Sequence, residues 1–173
     1  MRFQGSAYRA HDPKWSFKPL SGDGAAIHGG RFNPKGTPAL YVALDPMTAV
    51  MEAAQGFAQK FPPCVLCTYE IDCEDVIIDL RTEADRQSKG VAEKDMACAW
   101  FAEAAEGREP PSWRLARKLI EAGAAGLLTP SYANGARAGD ANLVLWVWRD
   151  RLPHKVRVFD PSGRLPKNQL SWT

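Results

Sequence analysis

No stretch of this chain approaches the run of about 18 consecutive apolar residues that spans a membrane. Its opening residues, Met1 to Ser6, lack the apolar core and small-residue cleavage site of a secretory signal. Both absences lead to the expectation of a soluble, cytoplasmic protein. Histidine is scarce, and His11, His28 and His154 stand too far apart to supply paired metal ligands. Nucleotide signatures also fail. After Gly22 and Gly24 the next glycine position of a dinucleotide fingerprint is Ile27, and the Walker order is inverted at Lys35-Gly36-Thr37. These failures exclude a Rossmann dehydrogenase and a P-loop enzyme.

Cysteine is sparse too. Cys64-Val65-Leu66-Cys67 has the gap of a zinc knuckle, with Cys73 and Cys98 beyond it. The run from Pro63 to Ile71 reads as a strand, however, and residues three apart on a strand point to opposite faces. The expectation is therefore no metal, and thiols that act as small buried hydrophobes in a reducing compartment.

What is present is globular. The chain has 173 residues, 45% hydrophobic and 24% charged, which suits one domain spanning 1–173 that buries roughly 70% of its unfolded surface. Charge is uneven: residues 1–36 carry six Lys/Arg against two acids, and residues 146–173 again six against two. The net charge of +2 therefore hides two basic ends around an acidic middle. Basic ends that converge would suit a phosphate-bearing ligand or nucleic acid, although a solvated surface gives the same pattern.

The first forty residues, rich in Gly, Pro and isolated aromatics, read as a long shaped loop. A short strand, Ala39 to Leu44, stops at Asp45-Pro46, where Asp45 as N-cap and Pro46 at the first helical position start a helix. Met47, Val50, Met51, Ala54, Phe57, Ala58 and Phe61 follow at helical spacing up to Pro62-Pro63. Strands are expected at Cys64 to Ile71, Val76 to Leu80, Leu143 to Trp148 and Val156 to Phe159. Helices are expected over 91–106 and from Ser112 to Gly123, with a loop after Ala125–Thr129 running from Pro130 to Asp140. Mixed elements without regular alternation give an α+β fold with a largely antiparallel sheet.

One constellation carries chemistry: Gly29-Gly30-Arg31-Phe32-Asn33, then Tyr41 on a strand, then Glu52 on the next helix. Glycines before Arg31 allow close approach of a ligand, and a guanidinium grips phosphate or carboxylate with two donors. On a helical wheel Glu52 falls with Thr48, Gln55 and Gln59, opposite the apolar stripe, so it is expected to face away from the core. Such a Glu is ordinarily just solvated, and a Tyr in an apolar strand is ordinarily core.

The order of these signals resembles the RES-domain family. The likeness rests on the block from Gly29 to Ala43, the Ala-rich helix with Glu52, the later Pro130-Ser131 and a strand opened by Asn142, and it runs from about Tyr8-Arg9 to about Trp148. The family's Arg, Glu and Ser positions look like Arg31, Glu52 and Ser131, and its usual motif tryptophan is Phe32 here. The resemblance implies an ADP-ribosyltransferase-like split antiparallel sheet flanked by helices. It also implies a growth-inhibiting toxin of a bacterial toxin-antitoxin module, held by an Xre-type antitoxin that blocks its cleft, and NAD as the substrate, with no metal. ADP-ribose would pass to a protein acceptor or to water. The implied roles are Glu52 under the ribose, Arg31 on the ribose and pyrophosphate, Tyr41 stacked on nicotinamide, Arg9 as a second phosphate contact, and Ser131 and Asn142 as supporting hydrogen bonds.

A nucleic-acid-binding module or nuclease toxin is the rival from another class. It would use Trp146 and Trp148, expected on one strand face, with Arg149, Arg151, Lys155 and Arg157. It ranks below NAD chemistry because the charge excess is modest, so no direct nucleic-acid contact and no membrane contact are expected. A module that merely sequesters a partner ranks third.

Overall fold

The computed structural model describes residues 1–54, 62–74 and 76–170. Its strands are β1 (Phe3–His11), β2 (Leu40–Ala43), β3 (Val65–Cys73), β4 (Ile77–Asp79), β5 (Gly126–Pro130), β6 (Ala141–Leu145) and β7 (His154–Val158). Its helices are α1 (Asp23–His28), α2 (Pro46–Ala54), α3 (Glu83–Ser88), α4 (Glu93–Met96), α5 (Trp100–Ala105) and α6 (Pro111–Glu121). The strands form one sheet in the order β4-β5-β6-β2-β1-β3-β7. Only the β4/β5 pair is parallel. β1 pairs with β3 along its whole length, from Phe3↔Cys73 to His11↔Val65, but meets β2 through Tyr8↔Ala43. The sheet is thus thinly joined at the β2/β1 seam, and the α+β, largely antiparallel architecture flanked by helices is the one expected.

Strand alternation sends side chains to two cores. One face buries Ala7, Leu40, Val42, Tyr69, Ile71, Leu143 and Val156. The other buries Phe32, Leu80, Met96, Ala116, Leu127, Val144 and Trp146 beneath α4 and α6. Among the described residues no helix is long and apolar enough to cross a membrane.

Several expectations are corrected. β1 occupies part of the supposed N-terminal loop: Gly5, Ser6 and Ala7 give it little apolar alternation, and it is held by backbone pairing on both sides. β5 was hidden for the opposite reason, since Gly126 to Thr129 are buried without a break and show no period of two. The single helix expected over 91–106 is broken into α4 and α5 around Ala97–Ala99. Trp146 and Trp148 do not share a face. The Ala125 carbonyl accepts from both Trp146 N (2.8 Å) and Val147 N (3.1 Å), a bulge that shifts the alternation after β6. Trp146 then packs in one core and donates Nε1–H to Phe32 O, while Trp148 packs against the other and donates to Leu20 O.

α2 starts as the sequence dictates, with Asp45 Oδ1 accepting from Met47 N (2.8 Å) and Thr48 N (3.2 Å). Its expected continuation through Phe57, Ala58 and Phe61 lies outside the described residues. Its phase, however, is turned from the helical-wheel expectation, although Ala54 of the expected stripe is buried. Thr48 and Ala49 are buried against the sheet while Met47 is 61% exposed. Small side chains let α2 lie closely along β1, and that turns Glu52 inward.

Candidate active site

Glu52 is half-buried on the inner side of α2. Its Oε1 accepts two hydrogen bonds, from Ser131 Oγ (2.6 Å) and from Asn142 Nδ2 (2.5 Å). The donors come from separate pieces of the fold: Ser131 directly follows β5, and Asn142 is the second residue of β6, paired with Thr129 and Ala43. Two donors fix one oxygen of the carboxylate in orientation, and Oε2 makes no hydrogen bond among the described residues. Ser131 Oγ also accepts from Ala133 N (3.2 Å), so the hydroxyl is held from both sides. The side-chain oxygens of Thr48, one turn before Glu52, and of Asn142 are buried with no partner among the described residues.

Arg31 is half-buried and is linked to this group through Tyr132, the neighbour of Ser131. Its Nη1 donates to Met96 O (3.1 Å) and Cys98 O (2.8 Å), carbonyls at the turn between α4 and α5. The guanidinium lies over the Tyr132 ring, 4.6 Å from its centroid. Nε and Nη2 make no hydrogen bond among the described residues and remain available to an anion.

Tyr41 ties the loop that carries Arg31 to the strand that leads to α2. Its hydroxyl accepts from Phe32 N (2.9 Å) and donates to Asn33 Oδ1 (2.7 Å). Burial pushes its phenol well above the ordinary range; the Phe32 N–H and Arg31 oppose that shift, and Glu52 adds to it. Asn33 is fully buried, and its Nδ2 donates to Ala25 O (2.8 Å) and Thr37 O (2.8 Å). The need for glycine follows from this network rather than from a ligand. A Cβ on Gly30 would meet Asn33 Oδ1 and the Tyr41 hydroxyl at 2.6 Å, and Gly29 adopts a φ of 75°. Trp113 Nε1 closes the loop by donating to Gly30 O (2.7 Å).

The structure thus gathers Arg31, Tyr41, Glu52, Ser131 and Asn142, and leaves Arg9 out. Tyr8 pairs with Ala43 and so faces the Glu52 side, whereas Arg9, the next residue, faces the opposite side with Ala7 and His11. There its Nη1 donates to Ser21 O (3.2 Å). The sequence reading gave no role to Asn33, Trp113 or Tyr132. Asn33 lies within the Gly-Gly-Arg-Phe-Asn block itself, but nothing local ties Trp113 to Gly30 or Tyr132 to Arg31.

Among the described residues no group of three His, Cys, Asp or Glu is arranged to hold a metal ion. Cys67 and Cys73 are buried, whereas Cys64 is exposed, against the expectation of a buried thiol. Two cavities of about 370 and 430 Å³ lie elsewhere, one beside Cys67 and Phe159 and the other beside Lys18 and Trp148.

No curated relative matches the chain by sequence. Among solved structures, a chain of the M. tuberculosis MbcT-MbcA toxin-antitoxin complex shares the fold at a TM-score of 0.64 and 23% identity, over 92% of this chain and 84% of that one. The RES domain profile matches residues 6–168, a span that contains every residue of the site just described. The chain belongs to the RES-domain family.

Proposed function

We propose that this protein is the toxin of a toxin-antitoxin pair and that it cleaves the nicotinamide-ribose bond of NAD. One observation carries the reading: a carboxylate clamped at Oε1 by two donors and open at Oε2, joined through Ser131-Tyr132 to a guanidinium with Nε and Nη2 unengaged. Breaking that bond builds positive charge on the ribose, and a fixed carboxylate stabilises the developing cation. Preorganisation matters here, because Ser131 and Asn142 hold the Glu52 charge before substrate arrives and no reorganisation is needed during the step. Nicotinamide leaves as a neutral ring from a cationic one, so the reaction requires no general acid. Arg31 would bind the pyrophosphate or a ribose hydroxyl through its free nitrogens. Tyr41 holds the Arg31 loop through its hydroxyl, and its half-buried ring would stack on the nicotinamide.

ADP-ribose then passes to a protein side chain or to water, and a surface that docks a target and excludes water would favour the former. The toxin role draws on the family and on the likeness to a chain of a toxin-antitoxin complex. An antitoxin of the Xre type that covers the Glu52 face would be the partner.

Incubation of the purified protein with NAD, alone and with cell lysate, tests the reading. Free nicotinamide with ADP-ribose from the protein alone indicates a glycohydrolase; label on a discrete lysate protein indicates a transferase. No nicotinamide under either condition overturns the proposal.

A further inference from the structure

Ser131 and Tyr132 are adjacent in sequence, yet they touch different charged groups. Ser131 donates to Glu52, and Tyr132 lies under the guanidinium of Arg31. The segment between them is firmly mounted. Ser131 N donates to Asp140 O (2.8 Å), and Ser131 Oγ accepts from Ala133 N (3.2 Å), closing a short turn around Tyr132. The Tyr132 ring also packs against Phe32, centroids 6.3 Å apart and planes tilted by 49°, so it contacts both Arg31 and the residue that follows it.

We propose that Tyr132 is a positioning residue for Arg31, and that the Ser131-Tyr132 pair couples the placement of the guanidinium to that of the Glu52 carboxylate. The geometry of Arg31 requires such a support. Its Nη1 is anchored at the Met96 and Cys98 carbonyls, which holds one corner of a planar group while Nε and Nη2, at the other corners, have no hydrogen bond among the described residues to resist tilting of the plane. An aromatic face beneath the plane removes that freedom by cation–π attraction. It supplies no hydrogen-bond donor or acceptor to Nε or Nη2 in doing so. A carboxylate in its place would pair with those nitrogens and take them from an anionic ligand. The two charges therefore hang from one dipeptide, and a shift of the Pro130–Asp140 loop moves both together.

The functional half of this inference rests on the NAD reading; the positional half does not. The positional test is an NMR measurement on the full chain labelled with 15N-arginine. The Arg31 Nε–Hε resonance is identified by its loss in Arg31→Lys. In the folded wild type it is expected upfield, shifted by the ring current of Tyr132. The shift should vanish in Tyr132→Leu and persist in Tyr132→Phe, and Ser131→Ala should move the resonance although Ser131 does not touch Arg31. An unshifted resonance in wild type, or one unmoved by Tyr132→Leu, overturns the positioning role, and one unmoved by Ser131→Ala overturns the coupling.

For turnover, Tyr132→Leu should raise KM for NAD about ten-fold, the scale of one partly desolvated cation–π contact, with kcat little changed. Tyr132→Phe should restore KM, and in an Arg31→Gln background, which carries no cation to place over the ring, Tyr132→Leu should add almost nothing. An equal KM effect in that background overturns action through Arg31. A wild type that releases no nicotinamide refutes the NAD reading alone, and the NMR arm still decides the rest.

Discussion

Asn142 Nδ2 donates to Glu52 Oε1 at 2.5 Å, across 90 residues of sequence and between a helix and a strand. A partly buried polar bond between such distant elements fixes a charge that the helical wheel of α2 assigns to solvent. Truncating the donor tests its weight. Asn142→Ala removes one hydrogen bond to a charged group, a contact of about 1.5–3 kcal/mol, and should lower kcat/KM for NAD at least ten-fold. Ser131→Ala should do likewise. Combined, the two losses should be non-additive, because both act on one oxygen. Steady-state nicotinamide release by the two single variants and the double variant reads this out.

Glu52→Ala and Arg31→Ala should each reduce NAD turnover by orders of magnitude while the far-UV spectrum stays native. Glu52→Ala also leaves the Asn142 and Ser131 donors unpaired, at a cost of about 1–3 kcal/mol in urea unfolding. Retained turnover in Glu52→Ala removes the assignment of this carboxylate.

Tyr41→Phe should destabilise by a similar amount, about 1–3 kcal/mol, since it orphans the Phe32 N–H and Asn33 Oδ1 together. Gly30→Ala should be worse still, because its Cβ would meet Asn33 Oδ1 and the Tyr41 hydroxyl at 2.6 Å. Thermal melts of both variants check the order. A Gly30→Ala protein as stable as wild type would mean the loop accommodates the methyl.

His11 sets the acid limit. It is buried with Nε2 2.7 Å from the Tyr69 hydroxyl, and burial, with Arg9 nearby, pulls it from its ordinary 6.5 down to about 4. Between these values the unfolded chain binds a proton that the folded one refuses. Stability should therefore be flat above pH 6.5 as far as His11 is concerned and fall by about 3 kcal/mol on acidification to pH 4. Asp72, Asp79 and Asp160 are held below their ordinary 3.8, so their losses fall at lower pH still. Urea midpoints measured from pH 7 to pH 4 check the window, and a flat profile would mean His11 is protonated in the fold.

Much of the fold was legible because its signals are local. Asp45-Pro46 starts α2, Pro111 starts α6 near the expected position, and the apolar strands β2, β3, β6 and β7 stand where periodicity puts them. The misses share a cause. β1 owes its place to pairing with two neighbours, and β5 to burial on both faces, and neither leaves an alternating pattern. The site was legible in Arg31, Glu52, Ser131 and Asn142 because they belong to a family pattern, not because any spacing required them. Arg9 shows the limit: one step along β1 separates Tyr8, which faces Ala43, from a side chain on the opposite side of the sheet.

The seam between β2 and β1, joined through Tyr8↔Ala43, bears on how the molecule coheres. α2 rests on β1, whereas Asn142 and the segment bearing Ser131 belong to the other half of the sheet. The Glu52 bonds therefore cross the seam and act as a rivet as well as orienting the proposed catalytic carboxylate. A ligand that competes for Oε1 loosens the joint it sits in, and a ligand that uses only Oε2 leaves it closed.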